Sequence, residues 1–291
     1  MAGAATAGSA RDALAGAVDA LRAAGVESPR LDAELLLGEA TGWERARFVA
    51  DPDAAVPADA GRRFGEMVRR RLRREPVAYI LGRKGFRRLE LEVDRRVLIP
   101  RPETELLVEL ALELRPRTVL DVGTGSGAIA LAVADELPEC AVTATDTSTD
   151  ALKVARANAE RLELTGRVRL QEGSVPADEA FDLIVANLPY VAEADWSSLQ
   201  PEVTQWEPRE ALLAGPDGLD AIRAFLTQLS RRVVTFHRIE GESDHSAQVL
   251  ALEVGVGQAD AVAELLEEAG FDHIETRPDL AGIPRVVWGR R

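Results

Sequence analysis

Apolar residues recur along the chain in three successive rhythms, and each predicts a different kind of structure. From Arg11 to about Arg74 the spacing is helical: Leu14, Val18 and Leu21 fall four and three residues apart, on one helix face. "SPRLDAELLLGEATG" (Ser28 to Gly42) opens on Ser and Pro and closes on Gly, the start and stop signals of a helix. The rhythm then becomes alternation. In "FRRLELEVDRRVLIP" (Phe86 to Pro100), Leu89, Leu91 and Val93 alternate with charged residues, and Asp94-Arg95-Arg96 interrupts two strand-like runs, so a β-hairpin is expected. From Pro102 onward helical windows and short apolar runs take turns: "PETELLVELALEL", "TVLDVG", "GAIALAVADEL", "AVTATD", "ALKVARANAERL", "RVRLQEG" and "FDLIVAN". That succession predicts a doubly wound α/β domain whose parallel strands are buried on both faces. The expected organisation is a small helical domain over 1–80, a hairpin linker over 81–100 and the α/β domain over 101–291.

Composition narrows the class. With 46% hydrophobic and 29% charged residues in 291, the chain has the makings of an ordinary globular core. Its one cysteine, Cys140, excludes an intramolecular disulfide and suits a reducing, cytoplasmic setting, and His237, His245 and His273 lack metal-ligand spacing, so no metal is expected. Export and membrane spanning are not expected, because no basic-then-apolar leader pattern and no run of about eighteen apolar residues occurs. The formal net charge is -14, yet Gly61 to Arg96 carries thirteen Lys/Arg against five Asp/Glu. So acidic a chain is a poor general binder of nucleic acid. The basic cluster "RRRLRRE" (Arg69 to Glu75) has two readings, a solvated helix face or a docking surface for an acidic or RNA-associated partner.

Candidate chemistry begins at "VLDVGTGSGAIALA". A strand ending at Asp121 runs through Gly123-Thr124-Gly125-Ser126-Gly127 into a helix, a turn that lets the backbone approach a ligand at the switch point of a sheet. Alone, that turn suits NAD, FAD or S-adenosylmethionine, or is only a tight turn. The next strand ends at Asp146, where a carboxylate can accept both hydrogen bonds of a ribose diol; the competing reading is a helix cap, for which Thr147, Ser148 and Thr149 serve equally well. The fourth strand stops at Asn187-Leu188-Pro189-Tyr190. An Asn side-chain oxygen and the following peptide carbonyl are two acceptors that suit one NH2 group, Pro189 stiffens the turn, and Tyr190 offers a flat face for a planar group. A strand-ending turn with a core tyrosine is the bland alternative.

"NLPY" resembles the Asn-Pro-Pro-Tyr signature of methyltransferases that act on planar NH2 groups of adenine, guanine or glutamine. The flanking stretches select among these. "SPRLDAELLL", "REPVAYILGRKGF", "LIPRPETELLVE", "EPREALLAGPDGL", "EVGVGQADAV" and "DLAGIPRVVWGR" resemble the peptide chain release factor glutamine methyltransferases, the HemK/PrmC family, from about residue 20 to the C-terminus. The related glutamine methyltransferases of a large-subunit ribosomal protein share the helical domain and the Asn-Pro-Pro-Tyr motif but typically lack "PRPETE", so Pro100 to Glu105 discriminates. The resemblance implies a Rossmann-like class I S-adenosylmethionine-dependent methyltransferase domain and a helical domain that recognises the release factor; from so acidic a chain no direct contact with nucleic acid is expected. It implies that Gly123, Thr124, Gly125, Ser126 and Gly127 hold the methionine end of the cofactor, Asp146 its ribose, Ser174 and Val175 its adenine edge, and that Pro102, Glu103 and Thr104 close over it. Asn187, Leu188, Pro189 and Tyr190 would hold the substrate glutamine, with Asn187 also near the cofactor. The chain departs from the family pattern in three places: Leu188 stands where Pro is usual, Ser174-Val175 where an acidic residue and a large apolar one are common, and "RRVVTFHRIEGESDHSAQ" replaces the usual Pro-Gly-Gly turn. That last stretch reads as an irregular loop. Two other classes share parts of the pattern: a nucleic-acid methyltransferase, which calls for a basic channel, and a non-catalytic binding module, which calls for a damaged cofactor loop.

Overall fold

The computed structural model describes residues 6–177, 179–231 and 248–291; the polar stretch expected as a loop falls almost wholly at 232–247, outside the described residues. The chain forms two compact units, one of Met1–Arg83 with Gln200–Trp206 and one of Lys84–Leu199 with Glu207–Arg291.

The first unit is built on helices α1 (Ala10–Ala23), α2 (Pro29–Thr41), α3 (Arg45–Ala50), α4 (Ala58–Leu72) and α5 (Val77–Leu81), with a short antiparallel pair, β1 (Thr6–Ser9) and β2 (Ala55–Pro57), that the helical periodicity did not announce. Strands of three or four residues carry too little alternation to register. Ser9 caps α1 by accepting the Asp12 N–H, Pro29 opens α2, and Gly42 ends it in the left-handed region at φ 71°. Leu14, Leu21, Leu36, Leu37, Phe48, Phe64 and Ile80 form one apolar core.

Most of the basic cluster at the end of α4 is turned inward, which neither reading of it anticipated. Arg71 is buried, its Nε 2.7 Å from Asp32 Oδ2 and its Nη2 2.6 Å from Glu202 Oε1. Arg74 forks onto the same Glu202 and donates to the Ala24 and Gly25 carbonyls. Arg70 pairs with Glu75 and reaches the Tyr79 and Ile80 carbonyls. Three of the five arginines are therefore internal fasteners, and only Arg69 and Arg73 are exposed. Glu202 lies on α9 (Pro201–Trp206), more than a hundred residues away in sequence; burial raises its pKa, but Arg74 and Arg71 together hold it below the ordinary carboxylate range.

The second unit opens with the hairpin β3 (Arg83–Phe86) and β4 (Leu89–Glu92). Its turn lies at Arg87-Arg88, with Arg87 at φ 52°, and not at Asp94 to Arg96 as the charge pattern suggested; Val97 to Pro100 is not a strand. Asp94 instead closes a separate turn, its carbonyl accepting the Val97 N–H and its carboxylate the Arg96 N–H. Phe86 and Leu91 bury their side chains in the α/β core, so the hairpin belongs with this unit and is not a free-standing linker.

Beyond it come α6 (Glu105–Leu114), β5 (Thr118–Val122), α7 (Ala128–Glu136), β6 (Ala141–Asp146), α8 (Thr149–Arg161), β7 (Val168–Glu172), β8 (Leu183–Ala186), α10 (Asp220–Arg231), β9 (Val249–Glu253), α11 (Ala259–Glu268), β10 (Asp272–Pro278) and β11 (Pro284–Arg290). They form one seven-stranded sheet in the order β10-β11-β9-β8-β5-β6-β7. Strands β5 to β9 are mutually parallel, and the β10–β11 hairpin adds an antiparallel edge that the sequence pattern did not distinguish. The continuous apolar runs sort by alternation onto two layers. Val119, Leu183, Val185 and Ala251 pack with Leu107, Leu110, Ile129 and Leu131 of α6 and α7, while Leu120, Ile184, Leu250 and Leu252 pack with Ile222, Phe225, Val262 and Leu266 of α10 and α11. Strand order reverses between β5 and β8, and a crevice opens at their carboxyl ends by the geometry of such sheets.

Candidate active site

Four strand ends meet at that edge. Asp121, fully buried near the end of β5, accepts the Thr124 hydroxyl at 2.6 Å and the Ala130 N–H at 3.2 Å, while its Oδ1 has no partner among the described residues. Burial pushes its carboxyl up to about 7, against those two hydrogen bonds. Thr124 is thus turned inward, and Ser126 is buried as well; they shape the loop rather than line it. Gly127 sits at φ 86°, and a Cβ there would come 2.8 Å from Leu131 Cδ1; Gly125, at φ 58°, would meet nothing within 4 Å and faces open space. The loop therefore presents backbone to a ligand.

The Asp146 carboxylate ends β6 and is already engaged with this loop: Oδ2 accepts the Gly125 N–H at 2.9 Å and Oδ1 the Ser148 N–H at 2.8 Å. Ser148, not Asp146, caps α8, since its hydroxyl accepts the Ala151 N–H. Each carboxylate oxygen keeps a second lone pair, enough for a ribose diol. After β7, Ser174 is half-buried, but Val175 is packed in the core beside the α10–α11 layer and offers no open face to an adenine ring.

Asn187 follows β8. Its Nδ2 donates to Thr104 Oγ1 at 3.1 Å, which leaves the side-chain oxygen as its remaining acceptor. Thr104 ends the 3₁₀ turn Pro102–Thr104 and is buried, whereas Pro102 is exposed and Glu103 half-buried. The Leu188 side chain lies over the glycine loop, its Cδ2 3.5 Å from where a Gly123 Cβ would stand, and packs on the core. The Tyr190 hydroxyl donates to Glu253 Oε1 at 3.4 Å; burial and that carboxylate push the phenol up. The structure thus gathers Gly123 to Gly127, Asp146, Asn187 to Tyr190 and Thr104, and turns the Val175 side chain into the core.

Sequence reasoning passed over the residues that hold this arrangement. Gln258 donates to the Tyr190 carbonyl at 2.9 Å and accepts the Gly255 N–H. Glu207, almost wholly buried, accepts the Ile99 N–H and pairs with Arg101, fixing the chain just ahead of Pro102. Asn158, fully buried on α8, donates to the Ser126 and Glu92 carbonyls and accepts the Glu92 N–H, so one amide ties the glycine loop to the hairpin. The signal for Asn158 was present: it is the one strongly polar residue on the buried face of α8.

Known proteins share this plan from end to end. Residues 12–82 match the family model of the PrmC N-terminal domain, and residues 102–203 that of the methyltransferase small domain. The release factor glutamine methyltransferase of Moorella thermoacetica is 41% identical over 97% of this chain and 98% of its own length. That of Geobacter sulfurreducens is 40% identical over 91% of both, and that of Caulobacter vibrioides 39% identical over 94% and 93%. The chain belongs to the release factor glutamine methyltransferases. The catalytic domain of hMettl16 shares the fold, at a TM-score of 0.53 and 14% identity over 68% of this chain and 74% of that one.

Within the release factor glutamine methyltransferases, the motifs read from this sequence now have structural jobs. "PRPETE" brings Thr104 to Asn187, and "EPRE" brings Glu207 to the backbone ahead of it. "EVGVGQ" supplies both Glu253 and Gln258 to Tyr190. Among the described residues no cluster of His, Cys, Asp and Glu could hold a metal ion, and no helix is long and apolar enough to cross a membrane.

Proposed function

We propose that this chain, working in the cytoplasm, transfers the methyl group of S-adenosylmethionine to the side-chain amide nitrogen of the glutamine in the Gly-Gly-Gln loop of peptide chain release factors. The observation that carries the reading is the Asn187–Thr104 hydrogen bond, which fixes the Asn187 amide with its oxygen left to accept. Bound in the crevice, S-adenosylmethionine supplies an electrophilic methyl carbon on a positively charged sulfur. The residues fit it: a Cβ at Gly125 would meet only open space, and the Asp146 carboxylate at the end of β6 has lone pairs left for the ribose.

An amide nitrogen is a poor nucleophile because its lone pair is delocalised into its carbonyl. Asn187 Oδ1 and the Leu188 carbonyl would each accept one N–H of the target and turn its lone pair toward the methyl carbon, while Tyr190 lies alongside the planar amide. Orientation of this kind is worth roughly 7 to 11 kcal/mol, and two acceptors favour the positive charge that develops on nitrogen. The methylated nitrogen is then acidic enough to lose its proton to water, so no strong base is required. The helical unit is assigned to recognition of the release factor. Incubating the protein with labelled S-adenosylmethionine and a purified release factor, followed by mass spectrometry of the Gly-Gly-Gln peptide, tests the reading: one added methyl on the glutamine is expected, and an unmodified peptide rejects it.

Two variants probe the cofactor half. Asp146→Ala removes the ribose acceptor and the anchor of the Gly125 N–H, and calorimetry should show S-adenosylmethionine binding weakened by about 1 to 3 kcal/mol; equal affinity removes Asp146 from the site. Asn158→Leu leaves the Ser126 and Glu92 groups unpaired, so cofactor affinity should fall about tenfold and the midpoint of thermal unfolding should drop. Unchanged affinity in a destabilised variant would make Asn158 a fold residue only.

A further inference from the structure

Glu253 ends β9 at the same sheet edge, and nothing in the proposed chemistry uses it. Its side chain is 2% exposed and carries one of only two buried, partnerless polar atoms among the described side chains, Oε2. A carboxyl so placed is costly to retain unless it does a job. Its surroundings indicate the job. The Tyr190 hydroxyl donates to Oε1, and Thr104 is a neighbour whose hydroxyl favours the charged form of the same carboxyl. Thr104 Oγ1 is in turn the acceptor for Asn187 Nδ2. A hydroxyl has a single hydrogen, so where that hydrogen points decides how Thr104 treats Asn187.

We infer that Glu253 is a positioning residue for methyl transfer: as a carboxylate it draws the Thr104 hydrogen toward itself, keeps Thr104 Oγ1 an acceptor, and so locks the Asn187 amide with Oδ1 presented to the substrate NH2. With Glu253 protonated, its own O–H competes for Thr104 Oγ1, the Thr104 hydrogen is released toward Asn187, and the amide is free to flip. A flipped amide sets NH2 against NH2 and repels the substrate. The inference rests on the proposed role of Asn187.

The switch has a pH signature. Burial pushes the Glu253 carboxyl up to about 7, and the nearby Glu103 carboxylate adds to the rise, while the Thr104 and Tyr190 hydroxyls and Arg285 oppose it; Arg101 and Arg285 also face Tyr190. The carboxylate is the active form, so kcat should rise with pH through that ionisation and level off above it.

Single-turnover methylation of release factor between pH 5.5 and 8.5 tests this, with cofactor affinity measured in parallel by calorimetry. The wild type should lose rate about tenfold per pH unit on the acid side. In Glu253→Gln, which cannot ionise but can still accept from Thr104, that limb should be flat. Thr104→Val should lower kcat by about 10²-fold with cofactor affinity held within about threefold, and Thr104→Ser should restore most of it. A Glu253→Gln profile that superimposes on the wild type, or a Thr104→Val enzyme with normal kcat, overturns the inference while leaving the methyltransferase reading standing. Absence of methylated peptide from the wild type at every pH would overturn that reading and this one with it. Cofactor binding by each variant verifies that it is folded.

Discussion

Asn187→Ala lowers the single-turnover rate of release factor methylation by about 10²- to 10³-fold, the usual cost of removing one preorganised polar group from a transition state. The substitution removes Oδ1 and also leaves Thr104 Oγ1, in a buried side chain, without the donor it now has. Cofactor affinity should barely move, because the glycine loop and Asp146 hold each other through Gly125 with no help from Asn187. Leu188→Pro is the informative contrast. Only the carbonyl of residue 188 is asked to accept; the side chain packs over Gly123 and on the core, and Pro189 already disfavours helical geometry there. Its kcat should stay within roughly tenfold of the wild type, since proline fixes a φ that an extended segment accepts. A near-normal Asn187→Ala rate would make the "NLPY" turn structural, and a dead but folded Leu188→Pro would give the leucine a part not described above.

Arg71→Ala destabilises the protein by about 3 to 5 kcal/mol, the range for leaving buried charges without their partner. Asp32 and Glu202 would remain, both nearly buried, and burial already raises Asp32 toward its neutral form despite the Arg71 hydrogen bond. Arg74 still holds one side of Glu202, but nothing in the described contacts replaces Arg71 at Asp32. Arg71→Lys should recover only part of the loss, because one ammonium cannot match a fork that reaches two carboxylates. Denaturant titration of the three proteins decides it, and an alanine variant within 1 kcal/mol of the wild type would reduce the cluster to a solvated face after all.

Much of the fold was legible because its signals are local. Gly42 and Pro29 announce the ends of α2, and the apolar runs of β5, β8 and β9 are too continuous for anything but a doubly covered sheet. Asp146 and Asn187 were legible by position, each following a strand in a recognisable order. What escaped was non-local. The hairpin turn was misplaced because the charges at Asp94 to Arg96 look like a turn, as they are, while the hairpin reverses at Arg87, whose backbone strain no pattern of polarity encodes. The arginine cluster was misread because its partners, Asp32 and Glu202, are 39 and 131 positions distant. Val175, expected at the adenine edge from its place after β7, turns its apolar side chain into the core, so only its backbone is left for that role.

The origin of Glu202 also bears on how the protein is made. A ribosome releases the first eighty-three residues long before it reaches Gln200–Trp206, yet the first unit includes both. Until the later piece emerges, the guanidinium groups of Arg71 and Arg74 have no Glu202 to meet, and Trp206 cannot donate to the Arg73 carbonyl. The last fastening of the N-terminal unit is thus delayed until β5 through β8 have been synthesised. A fragment cut at Arg83 would lack that fastening, Arg71 keeping only Asp32 and Arg74 only the Ala24 and Gly25 carbonyls. Grafting the seven-residue segment behind it through a flexible tether is the minimal repair.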